Sequence, residues 1–196
     1  MPYEAKNFEG LIGMDGFSEK LLRDHFMLYQ GYVTNFNKLD EILQGMEKEG
    51  KFGTPEFAEL NRRLGWEFNG MRLHELYFGN MTKEPKALGT ESAFLAAIVK
   101  EFGSYAMWEQ DFKAMGAMRG IGWVVLYHDA SAGRLFNVWV NEHDVGHFAG
   151  AAPLAVMDVF EHAYIADYGI KRKDYIEKFM ANLDWGMIEE RFMPTK

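Results

Sequence analysis

Ala151-Ala152-Pro153-Leu154-Ala155-Val156-Met157, followed directly by Asp158-Val159-Phe160-Glu161-His162-Ala163-Tyr164, is the stretch on which the reading of this chain turns. The first seven residues are apolar, the pattern of a short buried strand. Asp158 closes that strand and His162 lies in the turn beyond it, so a carboxylate and an imidazole can point at one cation. Alone, the pair reads more readily as two hydrogen-bonded core residues, because buried Asp and His usually find partners within the protein. The rest of the chain must separate these readings.

The composition bounds the choice. With 196 residues and 48% hydrophobic content, the chain is long enough to bury a sizeable core. Five Trp and sixteen Phe need a packed interior or an oligomer interface to leave water. A net charge of −8 with 21 Lys and Arg argues against nucleic acid as a partner, since that binding needs many cationic contacts to phosphate. Cysteine is absent, which removes disulfides, thiolate catalysis and sulfur-held metals, so any metal must be held by His, Asp or Glu. The first residues carry no cationic-then-apolar leader, and no apolar run approaches the ~18 residues of a membrane span. A soluble, cytoplasmic protein with no membrane partner is expected.

Ser18 is placed to cap a long helix carrying Leu21, Leu22, Phe26, Tyr29, Val33, Phe36, Leu39 and Leu43 at helical spacing. Gly50 and Gly53 end it. Thr54-Pro55-Glu56 restarts a helix, combining a hydroxyl cap, Pro at the first helical position and an early carboxylate, and this helix should reach about Asn80. The polar stretch from Asn80 to Thr90 reads as a boundary. Helical spacing returns over Glu91–Phe102 and Tyr105–Met118. Trp123–Tyr127 and Leu135–Val140 then read as strands joined by a turn at His128–Gly133, the 151–157 run gives a third strand, and Lys173–Leu183 a helix. The expected fold is α+β, an N-terminal antiparallel helical hairpin (residues 1–84) followed by an α/β unit with a small three-stranded antiparallel sheet (residues 85–196).

Among six His, His25 and His74 sit on the two hairpin helices. His25 shares a face with Tyr29 and Tyr32, and His74 with Gly70 and Phe78. If the helices pack antiparallel, both imidazoles can meet Asp158 and His162. Three imidazoles and one carboxylate leave an open coordination position, as a catalytic metal requires. A His on a helix is more often an ordinary packed residue, and that reading stands for each taken singly.

Residues 158–164 are similar to the Asp-x-Trp-Glu-His-Ala-Tyr signature of the iron/manganese superoxide dismutases, with Phe160 where that family usually has Trp. Tyr32-Val33-Thr34-Asn35-Phe36-Asn37 resembles the family's Tyr-Val-x-Asn-x-Asn, and Gly120-Ile121-Gly122-Trp123 its Gly-x-Gly-Trp. Lys171-Arg172-Lys173-Asp174-Tyr175-Ile176 resembles its Arg-Arg-Pro-Asp-Tyr-Ile, and Asp184-Trp185 with Arg191-Phe192 its closing helix. The matches run in order over residues 17–192. One departure concerns the first ligand, which the family places eight residues before its Tyr. Here His25 precedes Tyr32 by seven, and an ungapped match would select Asp24. His25 is preferred, because a π-type bulge presents at spacing eight what a regular helix presents at seven.

The resemblance implies a metal held by His25, His74, Asp158 and His162, either iron or manganese, with iron taken ahead by a small margin. It implies disproportionation of superoxide to dioxygen and hydrogen peroxide. Tyr32 would gate the channel, Tyr29 would take the place of a His beside it, and Trp123, Phe78 and Trp185 would wall the pocket. The family's Gln that bonds the metal's solvent comes either from beside the second ligand, which Gly70 excludes, or from the loop after the sheet hairpin. His143 falls at that loop position if Glu142 is one extra residue. A homodimer or homotetramer is implied, with its interface near Glu161 and Tyr164. Arg172 and Lys171 are candidates for drawing in an anionic substrate. The competing readings are a mononuclear hydrolase or oxygenase using two His and a carboxylate, and a non-catalytic scaffold that has lost its first ligand. His128 and His147 carry no assignment.

Overall fold

The computed structural model describes residues 1–193. After a 3-10 turn over Glu9–Leu11, the first α-helix is α1 (Glu19–Lys48), 30 unbroken residues whose N-terminal Leu21 N–H is received by the Ser18 hydroxyl at 3.1 Å. Thr54 caps α2 (Pro55–Phe78) in the same way, with Pro55 supplying the fixed φ of the first turn. The two helices pack along each other as a hairpin, burying Leu22, Phe26, Tyr29 and Val33 of α1 and Met71, Leu73 and Tyr77 of α2. Both caps were legible in sequence, as was the stop after Lys48.

Two helices, α3 (Ala93–Phe102) and α4 (Tyr105–Gly116), lead into β1 (Gly122–Asp129), β2 (Arg134–Asn141) and β3 (Ala152–Asp158). The sheet is antiparallel in the order β2-β1-β3. β1 is central, and Gly122 through Tyr127 are all buried because strands flank it and helices cover it. That covering explains its continuous apolar run, where a half-exposed strand would alternate. Pro153 sits on the edge strand β3, where its missing N–H removes no ladder bond from the middle of the sheet, and the register shifts beside it between Leu126 and Tyr127. A short turn over Glu161–Ala163, then α5 (Ile165–Tyr168), α6 (Arg172–Ala181) and α7 (Trp185–Phe192), complete the α+β fold. The last three residues of the expected second unit, 194–196, lie outside the described residues.

Two polar side chains fasten the hairpin to the sheet. Asn80, fully buried just beyond α2, donates to the Tyr77 carbonyl and accepts the Val156 N–H of β3, each at 2.7 Å. Arg191 of α7 donates to the carbonyls of Leu154 in β3 and Leu76 in α2, at 2.7 and 3.1 Å. β3 carries Asp158 and α2 carries His74, so these bonds set the distance between two halves of the site.

Candidate metal centre

Four side chains from three parts of the fold converge between hairpin and sheet. The ligand atoms of His25 (α1), His74 (α2), Asp158 (end of β3) and His162 (the turn after it) all lie within 4.8 Å of one another. Asp158 Oδ2 stands 3.2 Å from His25 Nε2, 3.6 Å from His74 Nε2 and 3.1 Å from His162 Nε2. His25 is 2% exposed, and His74 and Asp158 not at all.

Two of the four groups are aimed by local contacts. His74 Nδ1–H donates to the Gly70 carbonyl one turn back at 2.6 Å, which puts the lone pair on Nε2. Asp158 Oδ1 accepts the Phe160 N–H at 2.8 Å, which leaves Oδ2 facing the imidazoles, and the Tyr175 hydroxyl donates to the Asp158 carbonyl at 2.7 Å. Burial drives the His25 and His74 imidazoles below their usual range and holds them neutral. Burial would raise the Asp158 carboxyl, but the charge and hydrogen bond of His162, joined by His25, hold it well below the usual carboxylate range. The cluster therefore sets an anionic carboxylate against the neutral imidazoles of His25 and His74, with the His162 ring beside them.

His25 Nε2 and His74 Nε2 are buried with no hydrogen-bond partner, although both face the carboxylate. An unsatisfied buried polar atom costs about 1–3 kcal/mol, so a fold that aims two at one point is arranged for something that accepts their lone pairs. Three nitrogens and one oxygen suit iron or manganese, and the residues present fit one such ion.

The structure places His25 inside the cluster and Asp24 outside it. Asp24 is exposed and paired with Lys20, whereas His25 lies in the cluster, its ring 5.0 Å from that of His74 and 4.7 Å from that of His162. Because α1 stays regular, a seven-residue spacing brings His25 and Tyr32 onto one face. The scaffold reading also has Asp24 outward, with His25 merely packed, whereas here His25 Nε2 lies 3.2 Å from Asp158 Oδ2.

His143 is fully buried beside the cluster. Trp123 Nε1–H donates to its Nδ1 at 3.0 Å, and Tyr32 Oη lies 2.7 Å from its Nε2. Glu142, read as an extra residue, is the one non-glycine residue among those described with positive φ, at 50°. That conformation turns the chain so that His143 points inward. Burial lowers the His143 imidazole to about 4 and raises the Tyr32 phenol to about 12, so both are neutral near pH 7.

The aromatic wall differs from expectation in three places. Phe78 packs edge-on to His25 at 4.8 Å, and Trp123 edge-on to His74 at 4.9 Å, as expected. Trp185 instead meets Phe94, Tyr105 and Trp108, because α7 carries it beneath α3 and α4. Its place is taken by Phe160, stacked on His143 and His162, and by Trp66, edge-on to His143 at 4.8 Å. Trp66, Gly70, His74 and Phe78 fall at four-residue spacing on α2, a signal that would have found Trp66. Tyr29 is buried, but its hydroxyl turns away to Glu75 Oε1 and the Lys6 N–H. Arg172 donates to the carbonyls of Met118 and Gly120 and to the Tyr164 hydroxyl, so it braces that turn instead of facing the cluster. The cation near the wall is Arg63, stacked over Trp66 at 4.8 Å.

The comparisons with known proteins agree with this geometry. A family profile described as iron/manganese superoxide dismutases, C-terminal domain, matches residues 90–191. Superoxide dismutase [Mn] 2 of Haloferax volcanii is 35% identical over 186 residues, covering 94% of this chain and 89% of that protein. Superoxide dismutase [Fe] of Aquifex pyrophilus is 35% identical over 184 residues, 91% of this chain and 85% of its own length. Superoxide dismutase [Fe] of Cupriavidus metallidurans is 34% identical over 185 residues, 91% of this chain and 90% of its own. The profile covers the sheet that supplies Asp158 and His162, and the relatives extend over the hairpin that supplies His25 and His74. On the strength of both, this chain belongs to the iron/manganese superoxide dismutases.

Proposed function

We propose that the chain disproportionates superoxide, using one iron or manganese ion, iron ahead by a small margin, held by His25, His74, Asp158 and His162. The observation that carries the ligand assignment is the pair of buried, unpartnered imidazole nitrogens facing an anionic carboxylate. When bound, an ion there would supply one-electron redox chemistry, through which two superoxide anions and two protons become dioxygen and hydrogen peroxide.

The surrounding residues have separate tasks. The Trp123 indole is a donor only, so His143 Nδ1 must accept, and the neutral imidazole proton sits on Nε2. Nε2–H then donates to Tyr32 Oη, which leaves the Tyr32 hydroxyl hydrogen available to the cavity. Tyr32 stacks on His74 at 5.1 Å, and we assign it the gate and the last proton-donating group before the reacting centre. Trp123, Phe78, Phe160 and Trp66 exclude larger molecules. The donor set serves iron and manganese alike, and relatives named for the two metals are similar to comparable degrees.

We also propose a homodimer, formed over the exposed Glu161 and the neighbouring Tyr164. Met118, Ile121 and Ile170 lie exposed along the same cleft, and Ile170 is 98% exposed in the single chain, which supports a partner there. Our division of the chain into residues 1–84 and 85–196 is supported by the polar stretch after Asn80.

The test is metal per subunit by inductively coupled plasma mass spectrometry on protein purified without chelators from cells given iron and manganese, with superoxide decay followed by stopped flow. About one iron per subunit with catalysed decay is expected. Manganese alone would overturn the preference for iron, and a loaded site without catalysed decay would overturn the activity. Light scattering at a monomer mass would remove the dimer.

A further inference from the structure

His147 has no task in the reading above, yet both its ring nitrogens are engaged. His143 lies in the loop between β2 and β3, closed at its start by Asn141 N–H to the Val145 carbonyl at 2.7 Å and Val145 N–H to the Asn141 carbonyl at 3.3 Å. His147 Nε2 reaches back to the His143 carbonyl at 2.9 Å, and its Nδ1 lies 2.8 Å from the Tyr127 hydroxyl. A carbonyl only accepts, so the ring proton is on Nε2, and Nδ1 accepts from Tyr127. Tyr127 is buried in β1 and stacks on Phe148 of the same loop at 5.8 Å.

Trp123 and Tyr127 are four residues apart on β1, so their side chains leave the same face of the sheet. Trp123 holds the His143 ring directly. Tyr127 holds the His143 backbone through His147. One strand face thus grips the residue at two points, and a residue fixed at ring and carbonyl cannot rock about its loop.

We propose that His147, braced by Tyr127, is a positioning residue that sets the depth and orientation of His143 against Tyr32. The proposal rests on the superoxide-dismuting reading of the site for its consequence, though not for its geometry. Without the His147 bond, the His143 carbonyl loses its side-chain partner and the loop gains freedom, while the contacts that aim His74 and Asp158 are untouched. A shift of a few tenths of an ångström at His143 then lengthens its 2.7 Å contact with Tyr32.

The test compares the metal-loaded parent with H147A, H147Q and Y127F. Glutamine places an amide N–H near the position of His Nε2, so it retains the bond to the carbonyl. For H147A we expect kcat about tenfold lower, KM within about twofold and metal per subunit unchanged, a split that loss of folded protein does not produce. Amides of residues 141–147 should exchange about tenfold faster by mass spectrometry, with those of β1 unmoved. H147Q should return kcat and exchange to within about twofold of the parent. Y127F keeps the ring's packing but leaves Nδ1 unbonded, and it should lower kcat about threefold.

The proposal is overturned by H147A turning over like the parent, by H147Q being as impaired as H147A, or by metal falling in step with kcat. If H147A does not fold, Y127F decides, and unchanged kcat and loop exchange in that variant overturn the brace. A parent with no superoxide turnover would end the proposed function, while loop exchange in H147A and H147Q would still judge the grip on His143.

Discussion

Replacing Gly70 by Ala should damage both stability and turnover, against the usual gain from removing a helical glycine. In α2 that exchange is worth about 0.8–1.0 kcal/mol in favour of Ala. At position 70 the new Cβ would stand 2.5 Å from Tyr32 Cδ1 and 2.6 Å from Cε1. Carbon atoms rest at about 3.5–4.0 Å, so the ring must withdraw by roughly 1 Å. Such overpacking costs about 1–3 kcal/mol, and the 2.7 Å bond from Tyr32 to His143, stretched beyond reach, removes about 1 kcal/mol more. The balance is a loss of about 1–3 kcal/mol, or a fall in Tm of roughly 3–10 °C for a chain of this size. Displacing Tyr32 by that distance should also lower kcat at least about tenfold. The internal control is Gly65→Ala on the same helix, where a Cβ meets nothing within 4 Å and a small stabilisation is expected. Urea unfolding and stopped-flow superoxide decay on both variants decide the matter. If G70A proves as stable and active as G65A, the argument that glycine is required to seat Tyr32 is wrong.

Gly122→Ala should cost at least about 3 kcal/mol, since φ is +143° and the new Cβ would lie 2.1 Å from the Val140 carbonyl oxygen; an unfolding midpoint like the parent's would refute this. Asn80→Ala strands the buried Val156 N–H, while the Tyr77 carbonyl keeps the backbone N–H of residue 80, and guanidinium unfolding should show a loss of about 1–3 kcal/mol. Removing the metal by chelation under denaturant should lower stability by about 2.7–4.1 kcal/mol relative to protein with ion at 100–1,000 times its Kd, and calorimetry showing equal Tm for both forms would contradict the fit of the site. Burial raises the Tyr105 and Tyr127 phenols from their ordinary value near 10 to about 12. Between those values the folded state keeps protons that the unfolded state has shed, so this contribution is complete below pH 10 and lost as pH rises towards 12. Urea midpoints independent of pH across that window would show these phenols to be unperturbed.

Local chemistry along the chain sets the elements and the ligand types. Ser18, Thr54 and Pro55 mark helix starts because capping is local chemistry, written within three residues of the end it satisfies. The apolar runs of β1 and β3 and the turn between β1 and β2 were legible for the same reason. So were Asp158 and His162, which are neighbours in the chain, and the absence of cysteine left only His, Asp and Glu to hold a metal.

The tertiary structure decided what depends on residues far apart. Asp24 and His25 are adjacent in sequence, and only the regularity of α1 together with the packing of α2 against it turns one into water and the other into the cluster. Sequence alone puts Trp185 in the wall and passes over Trp66, because which aromatic rings meet depends on how α7 and α2 dock. Arg172 was expected to face an anion, yet its guanidinium ends among carbonyls of a turn more than fifty residues earlier in the chain. Caps and turns are satisfied by neighbours along the chain, whereas a pocket is satisfied by whatever the packing of distant helices and strands brings to it.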